Sequence, residues 1–501
     1  MSLDIKFFSF LIILLPIALA TGPFLPDLFA SCLGIFFLYR LYKYKEYEIF
    51  KNKIVILLLI FSIYIIFSSI ISDNILLSFE SSFFYFRFIF FSLAVSYLLN
   101  KNDNLLKYFG YSIIFSILFV VIDSYFQLLF GKDIFGIINP NVDGSIYYEG
   151  SFNGQLTGIF GDEQILGSYL ARMLPLAFAL AIFLNKKYIY FLLIILLILS
   201  DIAIYLSGER SAFFLLLFSV IIIVFLTKNH KYLRVLSFIV SAILIATISF
   251  YDDNSANRMF IKTYNQLGLN EVLNIIPDNL NNYSNDDNNI SNNVNDSSVY
   301  IIGDLEFCVI QKYKKNNTLP NYQQKILQEN INDCRLETIN KKNSDINRLI
   351  LFSSHHENHY FSALKMFREN FLFGVGPKLF REKCSEEKYR PFDDVKIKIE
   401  DICSTHPHNT YIQLLSETGI IGFLLIFPLF LLICYKFIIQ FINIIYFRKY
   451  VISDMEICVL VSLFIFTFPL IPTGSAFNNW LSVVHYLAFG FYLSFSQKKY
   501  V

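Results

Sequence analysis

Residues 188–206 read YIYFLLIILLILSDIAIYL, an almost unbroken apolar run in which Asp201 is the only charged residue. A helix of about 20 such residues is long enough to cross the hydrocarbon core of a bilayer. Lys186 and Lys187 precede the run, and the polar tripeptide Gly208-Glu209-Arg210 follows it closely. The stretch therefore predicts a transmembrane helix that runs from a basic loop to a polar one.

Similar runs lie on both sides of this one. The predicted spans are 6–22, 24–42, 53–72, 81–99, 108–130, 164–184, 188–206, 210–227, 232–251, 418–442, 457–473 and 479–496. Only 16% of the 501 residues are charged, whereas soluble domains carry about 25%. The chain has 41 basic and 40 acidic residues, so its charge does not favour nucleic acid as a partner. We predict an all-α polytopic membrane protein with about twelve transmembrane helices.

The first run admits a second interpretation. It ends in Ala18-Leu19-Ala20, which resembles the small-residue cleavage site of a secretory signal. Asp4 weakens the basic region that such a signal needs, and a second apolar run follows directly after Pro23 and Pro26. An uncleaved first helix is the favoured interpretation.

Basic residues are concentrated in alternate short loops, and this pattern sets the orientation. Lys and Arg occupy the loops 40–53, 100–107, 185–187, 228–234 and 448–449 and the C-terminal tail, whereas the loops 72–80, 131–163, 207–209 and 473–478 are acidic or nearly uncharged. Basic loops stay in the cytoplasm. Both termini are therefore expected there, with the long segment 252–417 on the other side. The predicted organisation is an N-terminal bundle 1–251 of about nine spans, the outer segment 252–417 between spans nine and ten, and C-terminal spans in 418–501.

The outer segment has two parts of different character. Asn279–Asp296 holds nine asparagines in eighteen residues and predicts a disordered tether. Ser354 and Glu357 have the spacing of a capping box, and Tyr360, Phe361, Leu364, Phe367 and Phe371 then recur at helical spacing. Gly374-Val375-Gly376-Pro377 is expected to end that helix.

Four of the seven cysteines fall in the outer segment: Cys308, Cys334, Cys384 and Cys403. Four cysteines in an oxidising compartment indicate two disulfides, and three pairings are possible. Bridges between sequence neighbours, 308–334 and 384–403, close the smallest loops. Four free thiols are the alternative.

Several polar residues interrupt the predicted spans near their outer ends. They are Arg87, Asp123, Arg172, Asp201 and His485, whereas Lys436 lies near the inner end of its span. Ionisable residues inside spans are costly and usually functional. One interpretation is structural ion pairs, of Asp123 or Asp201 with Arg87 or Arg172. The other is a polar crevice that opens outward, as a membrane enzyme acting at that surface would need.

The richest motif is His406-Pro407-His408-Asn409, followed after nine residues by Gly419-Ile420-Ile421-Gly422. Proline suits the first turn of a helix, which would place His408 near a helix N-terminus. A positive helix end disfavours the imidazolium form and attracts phosphate anions. Asn409 is expected to cap the helix or orient the ring, and His406 is expected to matter less than His408.

A zinc site is the main competitor for these histidines. His355 and His359 are one helical turn apart, and His406 and His408 lie in the same outer segment. The string His-Glu-x-x-His is absent, because a single residue separates Glu357 from His359. No metal is therefore predicted.

Five strings resemble the family of O-antigen ligases and polymerases, over most of the chain from the first spans to the tenth. They are DSYFQLLFGKDIFG at 123–136, TGIFGDEQILGSYL at 157–170, GERSAFF at 208–214, LFGVGPKLF at 372–380 and HPHNTYIQLLSETGIIG at 406–422. The segment around 265–345 matches nothing in that family. The resemblance implies a bacterial inner-membrane enzyme that moves glycans from an undecaprenyl-pyrophosphate carrier at the periplasmic face.

The resemblance also implies residue roles. His408 corresponds to the family's essential histidine, the base that deprotonates an acceptor sugar hydroxyl. Arg210 corresponds to an arginine that binds the carrier pyrophosphate, and Arg348 fits the second such arginine best, with Arg258 as the alternative. Asn409, Arg87, Asp123, Arg172 and His485 form the expected supporting polar cluster. Inverting transfer without a metal or other cofactor is implied.

The expected function is transfer of an O-antigen-like polysaccharide to lipid A–core. The alternative is a polymerase that extends repeat units on the same carrier. The partners are then the lipid-linked donor, the lipid A–core or glycan acceptor, membrane lipids and other polysaccharide-assembly proteins. A flippase or channel fits less well, because the inner half of the predicted bundle carries almost no charge.

Overall fold

The computed structural model describes residues 2–136, 155–264, 354–390 and 403–497, except for the single residues 46, 103, 162, 252 and 262. Among these residues every regular element is helical, which confirms the all-α prediction. The chain divides into two units, Met1–Phe260 with Ser354–Val501 and Ile261–Ser353. The second unit lies almost wholly outside the described residues, and so do the predicted Asn-rich tether, the cysteines Cys308 and Cys334, and Arg348.

Fourteen helices of eight or more residues make up the described part of the first unit. They are α1 Leu3–Ala20, α2 Phe24–Tyr44, α3 Lys53–Ile70, α4 Ile75–Ser82, α5 Phe86–Lys101, α6 Leu105–Phe130, α7 Leu166–Leu184, α8 Lys187–Leu206, α9 Arg210–Leu226, α10 Lys231–Tyr251, α11 Ser354–Glu369, α12 Thr410–Phe447, α13 Asp454–Thr467 and α14 Asn479–Gln497. All twelve predicted spans coincide with one of these helices, so hydropathy located the helices well.

The number of helices able to span a membrane differs from the predicted number of spans. Nine helical segments in the described part are long and apolar enough to cross a bilayer, with α4 and α5 counted as one, and α9 is apolar but shorter. The prediction of about twelve is therefore not confirmed. The predicted span 457–473 is too long because α13 ends at Thr467, where Phe468 is extended before Pro469. A residue that precedes proline disfavours helical backbone angles.

Helices α5 and α7 lie in the interior of the bundle, since 72% of an apolar 18-residue stretch of Ile75–Lys101 and 83% of one in Leu166–Leu184 are buried. Helix α5 packs on α2 and α14, and α7 packs on α13, α8 and α6. Small residues let these helices approach closely: a Cβ added to Gly490 in α14 would lie 2.7 Å from the Cβ of Val95 in α5. Close approach of this kind is how helices associate in a bilayer, where lipid offers no hydrophobic driving force.

Two buried arginines form ion pairs inside the bundle. Arg234, where the predicted basic loop 228–234 overlaps the predicted span 232–251, lies inside α10, and its two terminal nitrogens donate to the Asp201 carboxylate at 2.8 and 3.0 Å. Arg40 likewise lies inside α2 and pairs with Asp4 at 3.3 Å. The interior far from the His408 motif is therefore not free of charge. Paired charges satisfy each other there, since an unpaired one would be costly.

Candidate functional site

Two glycine turns cross at one end of the bundle and bring the outer residues together. Helix α12 is broken at Gly419, whose φ of 64° is outside the helical range. The turn after α11 lies against this break: the Val375 and Gly376 amides donate to the Ser416 and Glu417 carbonyls at 2.9 Å each. A Cβ on Gly374 or Gly419 would collide with the opposing backbone. Gly374 and Gly419, which lie in two of the strings that resemble the family, thus permit the same backbone contact.

Helix α11 docks through small and medium side chains. Ala363 and Met366 are fully buried in a small core with Val375, Leu379 and Phe380. On the predicted apolar face, Phe361 and Phe371 are exposed. The buried face of α11 includes His359, so the packing of α11 places a histidine in the interior of the protein. The side chains of Ser354 and His355 lie outside the described residues.

The helix that follows the His-Pro-His-Asn motif starts later than predicted. Asn409 is the N-cap, and its Oδ1 accepts hydrogen bonds from the Tyr411 and Ile412 amides at 3.0 and 3.1 Å. Its Nδ2 donates to the Pro469 carbonyl at 2.7 Å. Asn409 thus caps α12 and ties it to the 468–478 loop. Pro407 stands before the helix, and His408 adopts a left-handed backbone with φ of 55°.

The imidazole ring of His408 lies close to three other imidazole rings. Its ring centroid lies 4.2 Å from that of His406, 5.1 Å from that of His356 and 5.3 Å from that of His359. The His408 Nε2 is 3.0 Å from the Ser404 hydroxyl. The His356 and His359 rings lie nearly parallel to the His408 ring, at 31° and 25°. Among the described residues no group of three or more His, Cys, Asp or Glu side chains is arranged to hold a metal ion.

His406 is more constrained than the sequence analysis expected. It is buried, its Nε2 lies 3.2 Å from the Thr473 carbonyl, and its Nδ1 lies 2.9 Å from the Thr405 hydroxyl. A carbonyl only accepts, so Nε2 carries the proton. Burial lowers the pKa of His406 to about 3, and the neighbouring His408 and Arg381 act in the same direction. The ring is therefore neutral at physiological pH.

Thr473 connects the motif to the loop between α13 and α14. Its amide donates to the His408 carbonyl at 2.8 Å, and its Oγ1 accepts from the Thr410 amide at 3.0 Å. Together with the His406 contact, this fixes the backbone on both sides of the His408 ring. Sequence analysis missed Thr473, although the string Ile471-Pro472-Thr473-Gly474 is a turn signal.

Besides the histidine cluster, a group of charged residues lies at the start of α9. The Glu209 carboxylate accepts from the Gly167 and Ser168 amides at 2.6 and 2.9 Å, which caps the N-terminus of α7. Arg210 follows directly as the first residue of α9. The Arg258 Nε lies 3.3 Å from the Gly208 carbonyl. Burial lowers the pKa of Arg258, and the positive charge of Arg210 lowers it further.

The structure therefore brings Arg258, the alternative in the sequence analysis, beside Arg210. Its position has a steric basis: Gly208 has a φ of +67°, and an added Cβ would lie 2.6 Å from the Arg258 Nε. Glycine is thus required both for the backbone turn and for the approach of the guanidinium. Two adjacent guanidinium groups repel each other, an arrangement that a bound anion would relieve.

The residues of the predicted supporting polar cluster do not all lie together. Arg172 and His485 line one cavity together with Thr410 and Thr473. Arg87 instead pairs with Asp27 at 2.9 Å. Asp123 accepts a hydrogen bond from the Ile134 amide at 2.9 Å and so holds the turn after α6. Among the described residues the predicted ion pairs of Asp123 or Asp201 with Arg87 or Arg172 are absent, and Arg87 pairs with Asp27 and Asp201 with Arg234 instead.

A disulfide closes the outer turn near the motif. Cys384 is bonded to Cys403, with Cα atoms 5.3 Å apart. Cys403 precedes Ser404 and the histidine motif, and Cys384 follows the one-turn helix Phe380–Lys383 that packs on Glu417. The bridge thus tethers the segment that carries Ser404 to the turn after α11.

The fold and the site together define a polytopic membrane protein with a polar, histidine-containing site at one end of its helices. Comparison with known families makes this specific: the family described as "O-Antigen ligase" matches residues 192–427, slightly under half of the chain. Residues 192–427 are thus similar to the O-antigen ligase family, and this likeness supports glycan transfer of the ligase or polymerase type in a membrane. No curated protein matches the chain significantly.

Proposed function

We propose that this protein transfers an O-antigen-like polysaccharide from an undecaprenyl-pyrophosphate carrier to a sugar hydroxyl of lipid A–core at the periplasmic face of the inner membrane. The observation that carries the proposal is the apposition of Arg258 and Arg210 in a segment that also contains His408 and matches the ligase family. A diphosphate leaving group needs fixed positive charge, and an incoming hydroxyl needs a base.

His408 acts as the base in this proposal. Its backbone is held in the left-handed region, with its carbonyl bonded to the Thr473 amide, and its ring lies against those of His406, His356 and His359. A non-glycine residue in the left-handed region costs about 1–3 kcal/mol, and such strain is retained mainly at functional sites. The ring takes the proton from the acceptor hydroxyl as that oxygen attacks.

Arg210 and Arg258 bind the diphosphate, and Arg348 remains a further candidate from the resemblance. The planar guanidinium presents paired donors that match phosphate oxygens, and it stays charged in a partly apolar site. Glu209 does not compete for that role, because its carboxylate is occupied by the Gly167 and Ser168 amides. In this proposal the two guanidiniums supply the positive charge that the diphosphate needs.

The proposed reaction needs no metal or cofactor. The acceptor oxygen forms a bond to the anomeric carbon, the bond from that carbon to the phosphate oxygen breaks, and the configuration inverts. The proton moves to His408, and the electron pair leaves with the diphosphate on its carrier. The site end of the bundle faces the periplasm, with both termini in the cytoplasm, as the loop charges predict.

The test is transfer in vitro with the purified full-length protein, a defined lipid-linked donor and a lipid A–core acceptor. His408→Ala should lower the rate by about 100- to 10,000-fold while donor binding persists. Arg210→Lys should be impaired and Arg210→Ala should be worse, since lysine keeps the charge but loses the paired donors. His230→Ala is the matched control, because His230 contacts Asp454 and Tyr190 away from the motif.

Full activity of His408→Ala would overturn the base assignment. Inhibition by a chelator that zinc reverses would replace it with a metal mechanism. A second acceptor, a lipid-linked single repeat unit, decides between ligase and polymerase: transfer to that acceptor alone would identify the polymerase alternative.

A further inference from the structure

Helix α12 carries a buried carboxylate that the proposed mechanism does not use. Glu417 lies two residues before the break at Gly419, and it is fully buried. Burying a carboxylate is costly unless hydrogen bonds satisfy its oxygens. The hydrogen bonds of Glu417 therefore identify the parts of the protein that this residue joins.

One oxygen of Glu417 faces the turn after α11. Its Oε1 accepts a hydrogen bond from the Phe380 amide at 3.1 Å, and the Lys378 amide is a second backbone donor to the same carboxylate. The Glu417 carbonyl also accepts from the Gly376 amide at 2.9 Å. Both the side chain and the backbone of Glu417 thus hold this turn against α12.

The other oxygen of Glu417 faces Gln413, which lies one helical turn earlier on the same face of α12. The Gln413 Nε2 donates to the Glu417 Oε2 at 2.9 Å. The same nitrogen donates to the Ser475 hydroxyl at 3.0 Å, and the Gln413 Oε1 accepts from the Ala476 amide at 2.8 Å. Gln413 is only 1% exposed. A buried glutamine therefore links Glu417 to the 468–478 loop.

This loop fixes the backbone of His408. Ser475 lies two residues after Thr473, whose amide donates to the His408 carbonyl at 2.8 Å. A continuous path thus runs from Glu417 through Gln413 and the loop to His408. A change in the position of the buried carboxylate would be transmitted along this path to the histidine.

The hydrogen bonds of this path have a fixed direction. The Ala476 and Phe380 amides can only donate, so the atoms that face them must accept. Gln413 therefore has to present its Oε1 to the loop and its Nε2 to Glu417, and position 417 has to accept on both oxygens. An ionised carboxylate does so, whereas a glutamine at position 417 would set one N–H donor against another.

We propose that Glu417 is a positioning residue for His408 and acts through Gln413 and the 468–478 loop. This role rests on the proposed function, in which His408 is the base. It adds that the turn after α11 helps to set the geometry of that base. Glu417 takes no proton from the acceptor and contacts no substrate, because it is fully buried and both of its oxygens accept from protein donors.

The experiment measures transfer kinetics of purified full-length variants with the lipid-linked donor and the lipid A–core acceptor. Glu417→Gln should lower kcat about 10- to 100-fold, since small displacements of a catalytic group have effects of this size. The KM of the donor should stay within about twofold, because ground-state binding is not touched. Gln413→Met should behave in the same way, since it cuts the link to the loop but leaves the Phe380 amide bonded to Glu417.

Glu456→Gln is the matched control. It neutralises a partly buried carboxylate that pairs with Lys436 at 2.7 Å, at the start of α13 and away from the histidine cluster. Its kcat should equal that of wild type. A thermal melt of each variant establishes that it is folded.

A further variant exchanges the two side chains. In Gln413→Glu/Glu417→Gln the new carboxylate accepts from the Ala476 amide and from the new glutamine, whose oxygen accepts from the Phe380 amide. Every donor then regains an acceptor. Each single substitution should lower kcat about tenfold or more, whereas the double variant should recover to within about threefold of wild type, since contacting residues are not additive. The exchange is also the comparison if Glu417→Gln alone does not fold.

Four results would count against the proposal. Wild-type kcat in folded Glu417→Gln or Gln413→Met would overturn the positioning role. Failure of the folded double variant to recover would overturn it too, because the carboxylate itself would then be needed at position 417. A kcat that falls in step with the melting temperature, Glu456→Gln included, would leave only a structural role. Absence of transfer by wild type would overturn the proposed function and this role with it, which a defect confined to the variants would not do.

Discussion

At the scale of single residues, His408 depends on neighbours that are remote in sequence. The amide of Thr473 holds its carbonyl, the Tyr360 hydroxyl lies 3.5 Å from the same carbonyl, and His406 packs on its ring. From the sequence alone, His406 is expected to matter less than His408. Its burial and its contact with Thr473 instead assign it a positioning role, since both act on the loop that presents His408.

His406 should also make stability depend on pH. Its pKa is about 3 in the folded protein against about 6.5 when unfolded, so the unfolded chain binds the proton more readily. The stabilisation is complete above pH 6.5 and is lost as the pH falls toward 3, with a slope of up to about 1.4 kcal/mol per pH unit. His406→Gln keeps an N–H donor but does not titrate. Its melting temperature should fall less than that of wild type between pH 7.5 and 5.

The comparison with wild type isolates His406 from the other histidines, which are present in both proteins. Parallel pH profiles for the two would contradict the buried, neutral state. At pH 7.5, His406→Gln should retain more transfer activity than His406→Ala, because only the glutamine can still donate to the Thr473 carbonyl.

At the scale of elements, the start of α9 is organised by backbone geometry. The turn at Gly208 places Glu209 on the N-terminus of α7 and leaves space for Arg258. Helix α12 shows the same dependence, because its break at Gly419 is occupied by the turn after α11. In both places a left-handed glycine permits a contact that a side chain would prevent.

Gly208→Ala should impair transfer more than it impairs folding. The new Cβ would lie 2.6 Å from the Arg258 Nε and would displace that guanidinium from Arg210. Gly22→Ala is the control: Gly22 also has a positive φ, of +108°, but nothing lies within 4 Å of an added Cβ. Both substitutions should cost about 1 kcal/mol or more through backbone strain. Only Gly208→Ala should weaken donor binding, measured as a rise in KM for the lipid-linked donor.

Equal KM values for the two alanine variants would show that Arg258 does not contact the donor. Arg258→Gln provides the complementary measurement, and its KM should rise in the same direction as that of Gly208→Ala.

At the scale of the whole molecule, one end of the bundle holds every group of the candidate site. The histidine cluster, the arginine pair and the cavity all lie at the ends of helices that meet there, where α7 and α9 begin and where the 468–478 loop covers α12. The disulfide between Cys384 and Cys403 lies at the same end, and disulfides persist in oxidising compartments. The loop charges and the disulfide therefore support the same orientation.

This orientation can be tested with two exposed positions. Arg368→Cys at the end of α11 should react with a membrane-impermeant thiol reagent in intact spheroplasts, whereas Lys449→Cys after α12 should react only after the membrane is opened. The background replaces Cys32, Cys434 and Cys458, which lie in helices and are not bonded, and also Cys308 and Cys334 of the outer segment. The reverse labelling pattern would contradict the orientation of the bundle.

The sequence by itself determined the helices, the membrane class, the histidine motif and the arginine at the start of α9. These features are local: hydropathy, proline and glycine act over one helix, and a motif of seventeen residues can be read as a unit. Helix ends and the number of spans were less well determined, as the early end of α13 before Pro469 shows.

Only the tertiary structure decided which remote residues meet. Arg258 lies 50 positions from Gly208, Thr473 lies 65 from His408, and Arg172 shares a cavity with His485. Polar residues inside spans look alike in sequence, so Arg172 and Arg87 seemed equivalent, yet one faces a cavity and the other an aspartate. Helix rotation and packing set that difference, and they depend on all the contacts of the bundle at once.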